Sequence, residues 1–218
     1  MQRLGKTSLS FLGRRTYLHS TEIFHLFCNM LGALPADRQP VHVISFKFLH
    51  ETSRNGEAFL LEADEPTPAG AKPVSTIVFR DREGRRRRFE MTDDGAPIAE
   101  RQPDPPPYCD IPAMTGNFSG TVACNHIASP SDFFAALMEA SKAIHVETLR
   151  RRGEDPNQLY RFVSCEGMDL PSAVPPAGSL TLTFRHVRAR RLGARSFTFN
   201  DVTWEPGAGT PVRVCVAY

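Results

Sequence analysis

The sequence predicts an α+β protein built from two similar halves, each with one long helix and several antiparallel strands. Two segments, 21–34 and 130–151, repeat apolar residues at the three- and four-residue spacing of a helix with one buried face. Segments rich in β-branched and aromatic residues follow each of them, as is typical of strands. A proline-rich stretch lies between the two series. We therefore expect a first half at 1–94, a linker at 95–112 and a second half at 113–218.

Composition restricts the class of protein. The chain has 218 residues, of which 41% are hydrophobic, enough to bury a sizeable core in one large domain or in two of about 100 residues. Its 26 basic and 24 acidic residues give a net charge of +2, which is too small for nonspecific attraction to nucleic acid or membranes. No apolar run approaches the roughly 18 residues that span a bilayer, and no signal-peptide pattern follows the basic N-terminus. We therefore expect a cytoplasmic protein with no nucleic-acid or membrane partner.

The cysteines and histidines predict neither a disulfide framework nor a metal site. Five cysteines are scattered along the chain and never form the Cys-x-x-Cys spacing of zinc sites. Free cysteine is among the most buried residue types, so we expect these residues to be reduced and mostly packed. The histidines show no metal-ligand spacing either. We expect no metal and no cofactor.

The first half should contain one helix and four strands. Ser20 or Thr21 can cap the helix, because a hydroxyl group accepts a hydrogen bond from an unpaired N–H of the first turn. Arg54-Asn55-Gly56 predicts a hairpin turn, since Asn-Gly tolerates the positive φ angles of a tight turn. A second hairpin is expected at Asp81–Gly84. The predicted strands are 41–49, 57–63, 74–80 and 85–91.

The second half should contain a strand, a helix and four further strands. Ser129 can be the N-cap of the helix, Pro130 suits its first position, and Asp132 favours its first turn. Gly153 suits its end. The predicted strands are 119–124, 160–165, 179–187, 195–203 and 211–216.

An offset of 110 residues superposes the two helices in pattern, although not in identity. Residues 21–24 then match 131–134, and 26–29 match 136–139. This register places Asn29 opposite Glu139. A carboxyl group can transfer a proton, whereas an amide only forms hydrogen bonds. The two halves would therefore differ at this position.

A resemblance to a known family is carried by His126-Ile127-Ala128-Ser129-Pro130 and by Leu137-Met138-Glu139-Ala140. These residues resemble the dehydratase segment of bacterial β-hydroxyacyl-carrier-protein dehydratases, in which a histidine in a glycine- and proline-rich loop precedes an acidic residue on the central helix. Here 13 positions separate His126 from Glu139, one fewer than usual, and the glycine-rich phrase is missing. With its tandem helix-and-strand order, the chain resembles the double hotdog enzymes of acyl thioesters. The resemblance implies two long helices, each wrapped by a curved antiparallel β-sheet.

The resemblance also implies a reaction, the dehydration of a 3-hydroxyacyl thioester on acyl carrier protein or coenzyme A, in biosynthesis of the fatty-acid or polyketide type. Dehydration needs a base for the α-proton and an acid for the departing hydroxyl group. Histidine and a partly buried carboxylic acid suit these tasks, which makes His126 and Glu139 the candidate catalytic residues. The histidine of one hotdog half usually faces the acid of the other, so His19 is a rival of His126. Asn29 would leave the first half without an acid.

Other residues are candidates for substrate binding. Backbone N–H groups at the helix starts, either Ser131, Asp132 and Phe133 or 21–23, can bind an enolate oxygen. Arg85 and Arg87 belong to a basic cluster. That cluster is either a solvated hairpin tip or a docking patch for an acidic carrier protein or for the phosphates of coenzyme A. The rings of Phe24, Phe133 and Phe134 are expected to contact the substrate, and in a non-catalytic protein these rings and Phe27 would fill the pocket.

Two other functions stay open on the sequence. The same fold can hydrolyse an acyl thioester, with Glu139 or Asp132 activating water and a helix N-terminus binding the oxyanion. It can also be a non-catalytic subunit that binds a ligand or stabilises a partner, with His126 bracing a loop and Glu139 facing solvent. A fused pair already contains the interface that single hotdog chains gain by dimerising, so we expect a monomer or a homodimer.

Overall fold

The computed structural model describes residues 1–13, 16–156, 160–170, 174, 178–205 and 210–218. These residues form two compact units, Met1–Pro106 and Pro107–Tyr218. Within the described residues, no helix is long and apolar enough to cross a membrane.

Unit 1, residues 1–106, contains one helix on an antiparallel sheet. The strands of this sheet follow the order β1-β4-β6-β5-β3, and the short strands β2 and β7 form a separate parallel pair. A single 3₁₀ turn, Ala36–Arg38, follows the helix. In chain order the elements are β1 Gln2–Lys6, β2 Phe11–Leu12, α1 Ser20–Gly32, β3 Pro40–Phe48, β4 Glu57–Glu62, β5 Pro73–Asp81, β6 Arg86–Thr92 and β7 Arg101–Gln102.

Aromatic rings join α1 to its sheet. The rings of Phe24 and Phe27 lie 5.4 Å apart on the buried face of the helix. Phe24 contacts Phe46 of β3, and Phe27 packs edge-on against Phe79 of β5 and Phe89 of β6. All five side chains are inaccessible to solvent. Burial of such a ring stabilises a fold by about 1.5–3 kcal/mol, so this cluster holds the helix on the sheet.

The hairpin predicted at Arg54-Asn55-Gly56 is wrong, because β3 and β4 are not neighbours in the sheet. Gly56 instead allows two backbone segments to approach closely: a Cβ atom there would lie 1.8 Å from the carbonyl oxygen of Thr92. The amide oxygen of Asn55 accepts a hydrogen bond from the N–H of Leu9, and the Gly56 carbonyl accepts one from Thr7. This Asn-Gly pair therefore forms contacts with distant segments and does not form a tight turn. The hairpin predicted at Asp81–Gly84 is confirmed, since β5 and β6 pair directly.

Unit 2, residues 107–218, also contains one helix on an antiparallel sheet, whose strands follow the order β8-β9-β11-β12-β13-β10. Phe133 and Phe134 fix the helix to the sheet by edge-on contacts with Trp204 of β12 and Phe162 of β10. The elements are β8 Ala113–Gly116, β9 Ser119–Cys124, α2 Pro130–Arg151, β10 Arg161–Asp169, β11 Leu180–Leu192, β12 Arg195–Glu205 and β13 Val212–Ala217.

Both ends of α2 follow the sequence signals. The hydroxyl group of Ser129 accepts a hydrogen bond from the N–H of Asp132 at 3.1 Å, and Pro130 occupies the first helical position. Gly153 follows the helix with a φ of 71°, a conformation that favours glycine. In α1 the N-cap is His19 and not Ser20 or Thr21. The carboxylate of Glu22 accepts the N–H of His19, which replaces the expected hydroxyl cap.

The strands of the two units are connected differently. In unit 2 the successive strands β11, β12 and β13 are neighbours, as in a meander. In unit 1 the sheet strands that follow α1 are β3, β4, β5 and β6, and the last of them, β6, lies between β4 and β5. The order of helix and strands along the chain repeats, as the sequence predicted. The order of the strands within the sheet does not repeat.

The proline-rich stretch 95–112 supplies structure to each unit. Arg101–Gln102 is strand β7 of unit 1. In unit 2 the N–H of Asp110 donates a hydrogen bond to the carbonyl oxygen of Ala123, and the carbonyl oxygen of Tyr108 accepts one from the N–H of Asn125. Residues 108–110 thus lie along β9, and we call 107–110 the edge segment.

Candidate active site

Glu139 lies half-buried on α2, directly under the edge segment. Its two carboxylate oxygen atoms accept hydrogen bonds from the backbone N–H groups of Tyr108 and Cys109, each at 3.1 Å. The contact joins residues about thirty positions apart in sequence. Glu139 is therefore held by the backbone of the edge segment.

Asp132 occupies the first turn of the same helix. One oxygen of its carboxylate accepts a hydrogen bond from the hydroxyl group of Tyr108 at 3.0 Å, and the other accepts one from the hydroxyl group of Ser129 at 2.7 Å. Burial, the hydrogen bond to Asp132 and the charges of Asp132 and Glu139 together raise the pKa of Tyr108 to about 12. Tyr108 thus keeps its proton at neutral pH and bridges two turns of α2 through Asp132 and Glu139.

His126 precedes α2 and is exposed. Its φ of 63° is the left-handed conformation, which is uncommon for a residue with a side chain. The N–H of the next residue, Ile127, donates to the carbonyl of Gly178 at 2.8 Å and fixes the chain there. A backbone that holds an exposed histidine in a strained conformation is a reason to suspect function at that position.

The two candidates of unit 1 have different surroundings. His19 is the N-cap of α1, and its Nδ1 lies 3.3 Å from the hydroxyl oxygen of Thr21. Asn29 is exposed, and its amide nitrogen lies 2.8 Å from Nε2 of His25. The helix position that the repeat matches to Glu139 therefore carries a surface amide in contact with a histidine.

The helix starts proposed for oxyanion binding already use several of their N–H groups. In α2 the N–H of Asp132 donates to the Ser129 hydroxyl group and that of Phe133 to the Ser129 carbonyl. In α1 the N–H groups of Glu22 and Ile23 both donate to the carbonyl of His19. The hydroxyl oxygen of Ser131 lies 2.9 Å from that of Ser129.

The apolar and basic candidates are mostly engaged inside their units. Phe24, Phe133 and Phe134 have no exposed surface and pack between helix and sheet. Arg87 is also buried, where its guanidinium group forms ion pairs with Asp81 at 2.7 Å and Glu62 at 2.8 Å. Arg85 is exposed and pairs with its near neighbour Glu83.

Sequence reasoning missed Tyr108, Cys109 and Cys124. The sulfur atoms of the two cysteines lie 2.9 Å apart, and Cys109 also contacts the carbonyl oxygen of Ala136 at 3.3 Å. A tyrosine and a cysteine directly after a run of prolines were the available signal. Among the residues that the structure describes, no group of three or more His, Cys, Asp or Glu side chains is placed to hold a metal ion.

The sequence matches no protein-family model and no curated protein. Solved structures do match. The tesB protein of Mycobacterium avium subsp. paratuberculosis is 11% identical with a TM-score of 0.51, and the match covers 95% of this chain and 90% of that one. The dehydratase domain of RzxB from Pseudomonas fluorescens is 12% identical with a TM-score of 0.48 and coverages of 93% and 86%. The dehydratase domain of PpsC from Mycobacterium tuberculosis, in complex with C12:1-CoA, is 12% identical with a TM-score of 0.43 and coverages of 92% and 84%.

The class of protein follows from the helix-on-sheet units and from the likeness to the tesB protein, which spans nearly all of both chains. This chain has the double hotdog fold, as the resemblance in the sequence implied. At 11% identity the likeness concerns the fold alone.

Proposed function

We propose that this protein dehydrates a 3-hydroxyacyl thioester, with Glu139 as the acid that protonates the departing hydroxyl group. The observation that carries the proposal is the setting of Glu139. Its carboxyl group is half-buried on the helix that packs against the sheet of unit 2, and among the described residues its partners are two backbone N–H groups and no cation. A carboxyl group without a counter-ion is not committed to a structural ion pair, and it can transfer a proton when the edge segment opens and releases one of its oxygen atoms.

The chemistry needs one base and one acid. A histidine takes the α-proton, the electrons of the C–H bond form the C=C bond, and the hydroxyl group leaves as water with the proton of Glu139. The proton on the histidine then restores the acid. His126 is the candidate base in unit 2, because it is exposed and its backbone is fixed, and His19 remains its rival.

The N–H groups of Tyr108 and Cys109 affect this chemistry in two ways. They orient the carboxyl group of Glu139, and one of them must open before the corresponding oxygen atom can contact a substrate. Turnover would therefore depend on the edge segment as well as on Glu139. This dependence follows from the hydrogen bonds and applies to thioester hydrolysis by the same residue.

A Glu139→Gln variant tests the proposal, because glutamine keeps the shape of the side chain and removes the transferable proton. We expect turnover of 3-hydroxyacyl thioesters on coenzyme A or acyl carrier protein to fall by about 10²-fold or more. The matched control is Glu147→Gln on the same helix, where Glu147 forms a surface ion pair with Arg151. The control should keep its turnover and lose less than about 1 kcal/mol of stability.

Unchanged turnover in a folded Glu139→Gln protein would remove Glu139 from the mechanism. Mass spectrometry of the products separates the reactions: loss of water from the acyl group indicates a dehydratase, and release of the free acid indicates a thioesterase. Comparison of His126→Ala with His19→Ala identifies the base. If no product forms from a panel of thioesters, and if neither histidine variant changes the binding of these thioesters, the protein is a non-catalytic module.

The carrier of the acyl group is part of the proposal. An acidic carrier protein or the phosphates of coenzyme A would meet exposed arginines. The β11–β12 hairpin offers Arg190, Arg191 and Arg195, which are exposed and form no ion pair within the described chain. Of the two arginines predicted for docking on the β5–β6 hairpin, Arg87 is buried and Arg85 is exposed, so that hairpin remains a second candidate surface. A place in fatty-acid or polyketide-type biosynthesis and a cytoplasmic location remain predictions from the sequence.

A further inference from the structure

Cys109 and Cys124 face each other across two antiparallel backbone segments of unit 2. The hydrogen bonds from Asp110 to Ala123 and from Asn125 to Tyr108 lie on either side of them, which makes the cysteines a non-hydrogen-bonded pair. The Cα atoms of such a pair lie about 4.5 Å apart, within the range of about 4.4–6.8 Å found in disulfides. The backbone thus already places the two sulfur atoms for a bond.

The remaining cysteines lack this arrangement. In the pairing of β10 with β13, Cys165 stands opposite Val214, and Cys215 stands opposite Ser164. Cys28 lies on α1 of unit 1. Cys109 and Cys124 are therefore the pair that the described strands bring face to face.

Access to the pair is one-sided. Cys109 is half-buried at the edge, whereas Cys124 is 1% exposed. The hydrogen bond with Cys124, burial and the nearby charge of Glu139 all raise the pKa of the Cys109 thiol. A reagent should therefore reach Cys109 first and react slowly at neutral pH, because the thiolate is the reactive form.

We propose that Cys109 and Cys124 are a reversible oxidation site, at which a peroxide closes a disulfide that fixes the edge segment over Glu139. The thiolate of Cys109 attacks one peroxide oxygen, which gives a sulfenic acid as the O–O bond breaks. The thiol of Cys124 then displaces water from the sulfenic acid, and the S–S bond forms. The two thiols lose two electrons, and the peroxide is reduced to water. A dithiol reductant reverses the reaction by exchange.

The disulfide acts on Glu139 through the backbone. The N–H of Cys109 is itself one of the two donors to the Glu139 carboxylate, and Tyr108 provides the other. A covalent link from Cys109 to β9 removes the local opening that would free this carboxylate. The link itself depends only on the cysteine pair, while its effect on turnover rests on the proposed function of Glu139.

The oxidation is tested with the full-length protein and hydrogen peroxide. Thiol titration in denaturant should fall from the five of the reduced chain by two, and peptide mapping should join 109 to 124. Cys109→Ser and Cys124→Ser should each abolish the link. Cys28→Ser is the matched control and should keep it. Peroxide that leaves all thiols free, links other cysteines or only forms sulfinic acid at Cys109 would overturn the proposal.

Two further readouts separate this proposal from the proposed function. Amide hydrogen exchange of the peptide that contains Tyr108 and Cys109 should slow in the oxidised protein, whatever the protein does. Turnover should fall about tenfold or more on oxidation and recover with dithiothreitol, because fewer molecules reach the open state. Slower exchange in a protein that turns over no thioester would reject the proposed dehydratase function and support the disulfide that fixes the edge segment. Equal turnover in both redox forms would reject the effect on Glu139.

Discussion

His145 is an ionisable residue enclosed by aromatic rings in unit 2. It lies on α2 with ring centroids of Tyr218 at 4.2 Å, Phe118 at 4.7 Å and Tyr160 at 5.7 Å. Its Nε2 atom is buried without a hydrogen-bond partner among the described residues. Burial lowers the pKa of His145 to about 4, and the charges of Arg152 and His186 act in the same direction. The folded protein therefore holds this imidazole in its neutral form.

We expect acid to destabilise the fold through His145. The unfolded chain takes up this proton near pH 6.5 and the folded chain only near pH 4, so the unfolded state binds more protons between these values. The contribution of His145 to the free energy of unfolding should stay constant above about pH 7 and fall as pH is lowered to about 4, by about 3 kcal/mol at about 1.4 kcal/mol per pH unit. Urea unfolding at a series of pH values measures this slope.

His145→Phe is the control, since phenylalanine suits the aromatic surroundings and does not titrate. The variant should lose most of the slope between pH 6.5 and 4 that the natural chain shows. Parallel pH profiles for the two proteins would mean that other groups cause the acid sensitivity. Asp201 does not account for a slope in this range, because its hydrogen bonds with Arg213 and Arg185 lower its pKa below the ordinary value of 3.8, so its contribution is lost only at lower pH.

Only part of the candidate site could be predicted at this scale. His126 and Glu139 were predicted as candidates because a histidine, a helix start and an acid follow one another in sequence. Tyr108 and Cys109 were missed because their contacts with Glu139 span about thirty residues, and no local pattern reports such a pairing. The partners of a side chain depend on how distant segments meet, which single-residue propensities do not encode.

At the scale of elements, the start of α2 shows how one hydroxyl group defines a helix boundary. We expect Ser129→Ala to lower the stability of the protein by about 1 kcal/mol, because the N–H of Asp132 would lose its acceptor. Ser20→Ala is the matched control at the start of α1. The hydroxyl group of Ser20 is buried and has no partner among the described residues, so its removal should cost little or stabilise slightly.

Thermal unfolding of both variants checks this expectation. An equal loss of stability for Ser20→Ala and Ser129→Ala would show that the two serines cap alike, contrary to the hydrogen bonds of the structure. Turnover should not be used as the readout, since Ser129 also contacts Asp132 beside the candidate site.

Local signals predicted the helices better than the strand pairing. The bounds of α2 and β9 agree with the sequence prediction at both ends, and those of α1 differ by one or two residues. The Asn55-Gly56 signal failed because tertiary contacts with Thr7, Leu9 and Thr92 override turn propensity. Strands β1 and β8 were not predicted, since both are short. Strand β1 pairs with the distant β4, whereas β8 pairs with β9, the next strand in the chain.

On the scale of the whole molecule, the apolar spacing and the order of elements predicted two helix-and-strand halves, and the resemblance to a known family implied the double hotdog fold, which is confirmed. Hydrophobic periodicity defines which face of each helix is buried, and a helix with one apolar face needs a sheet to cover it. The sequence did not predict that the two units connect their strands differently. Strand order is decided by the pairing of segments that are far apart, and a repeat of element types leaves it open.

The position of β6 between β4 and β5 has a consequence for the order of folding. The β5–β6 hairpin closes a short loop at Asp81–Arg86, whereas β4 pairs with β6 across more than twenty residues. Because closing a longer loop costs more chain entropy, we expect the hairpin to form first and β4 to dock onto it later. Pulsed hydrogen exchange during refolding should protect amides between β5 and β6 before those between β4 and β6. Simultaneous protection, or earlier protection of β4, would contradict this order.

With the expected order, unit 1 assembles its sheet from the middle outward. The meander of unit 2 can instead add β11, β12 and β13 in the order in which the ribosome releases them.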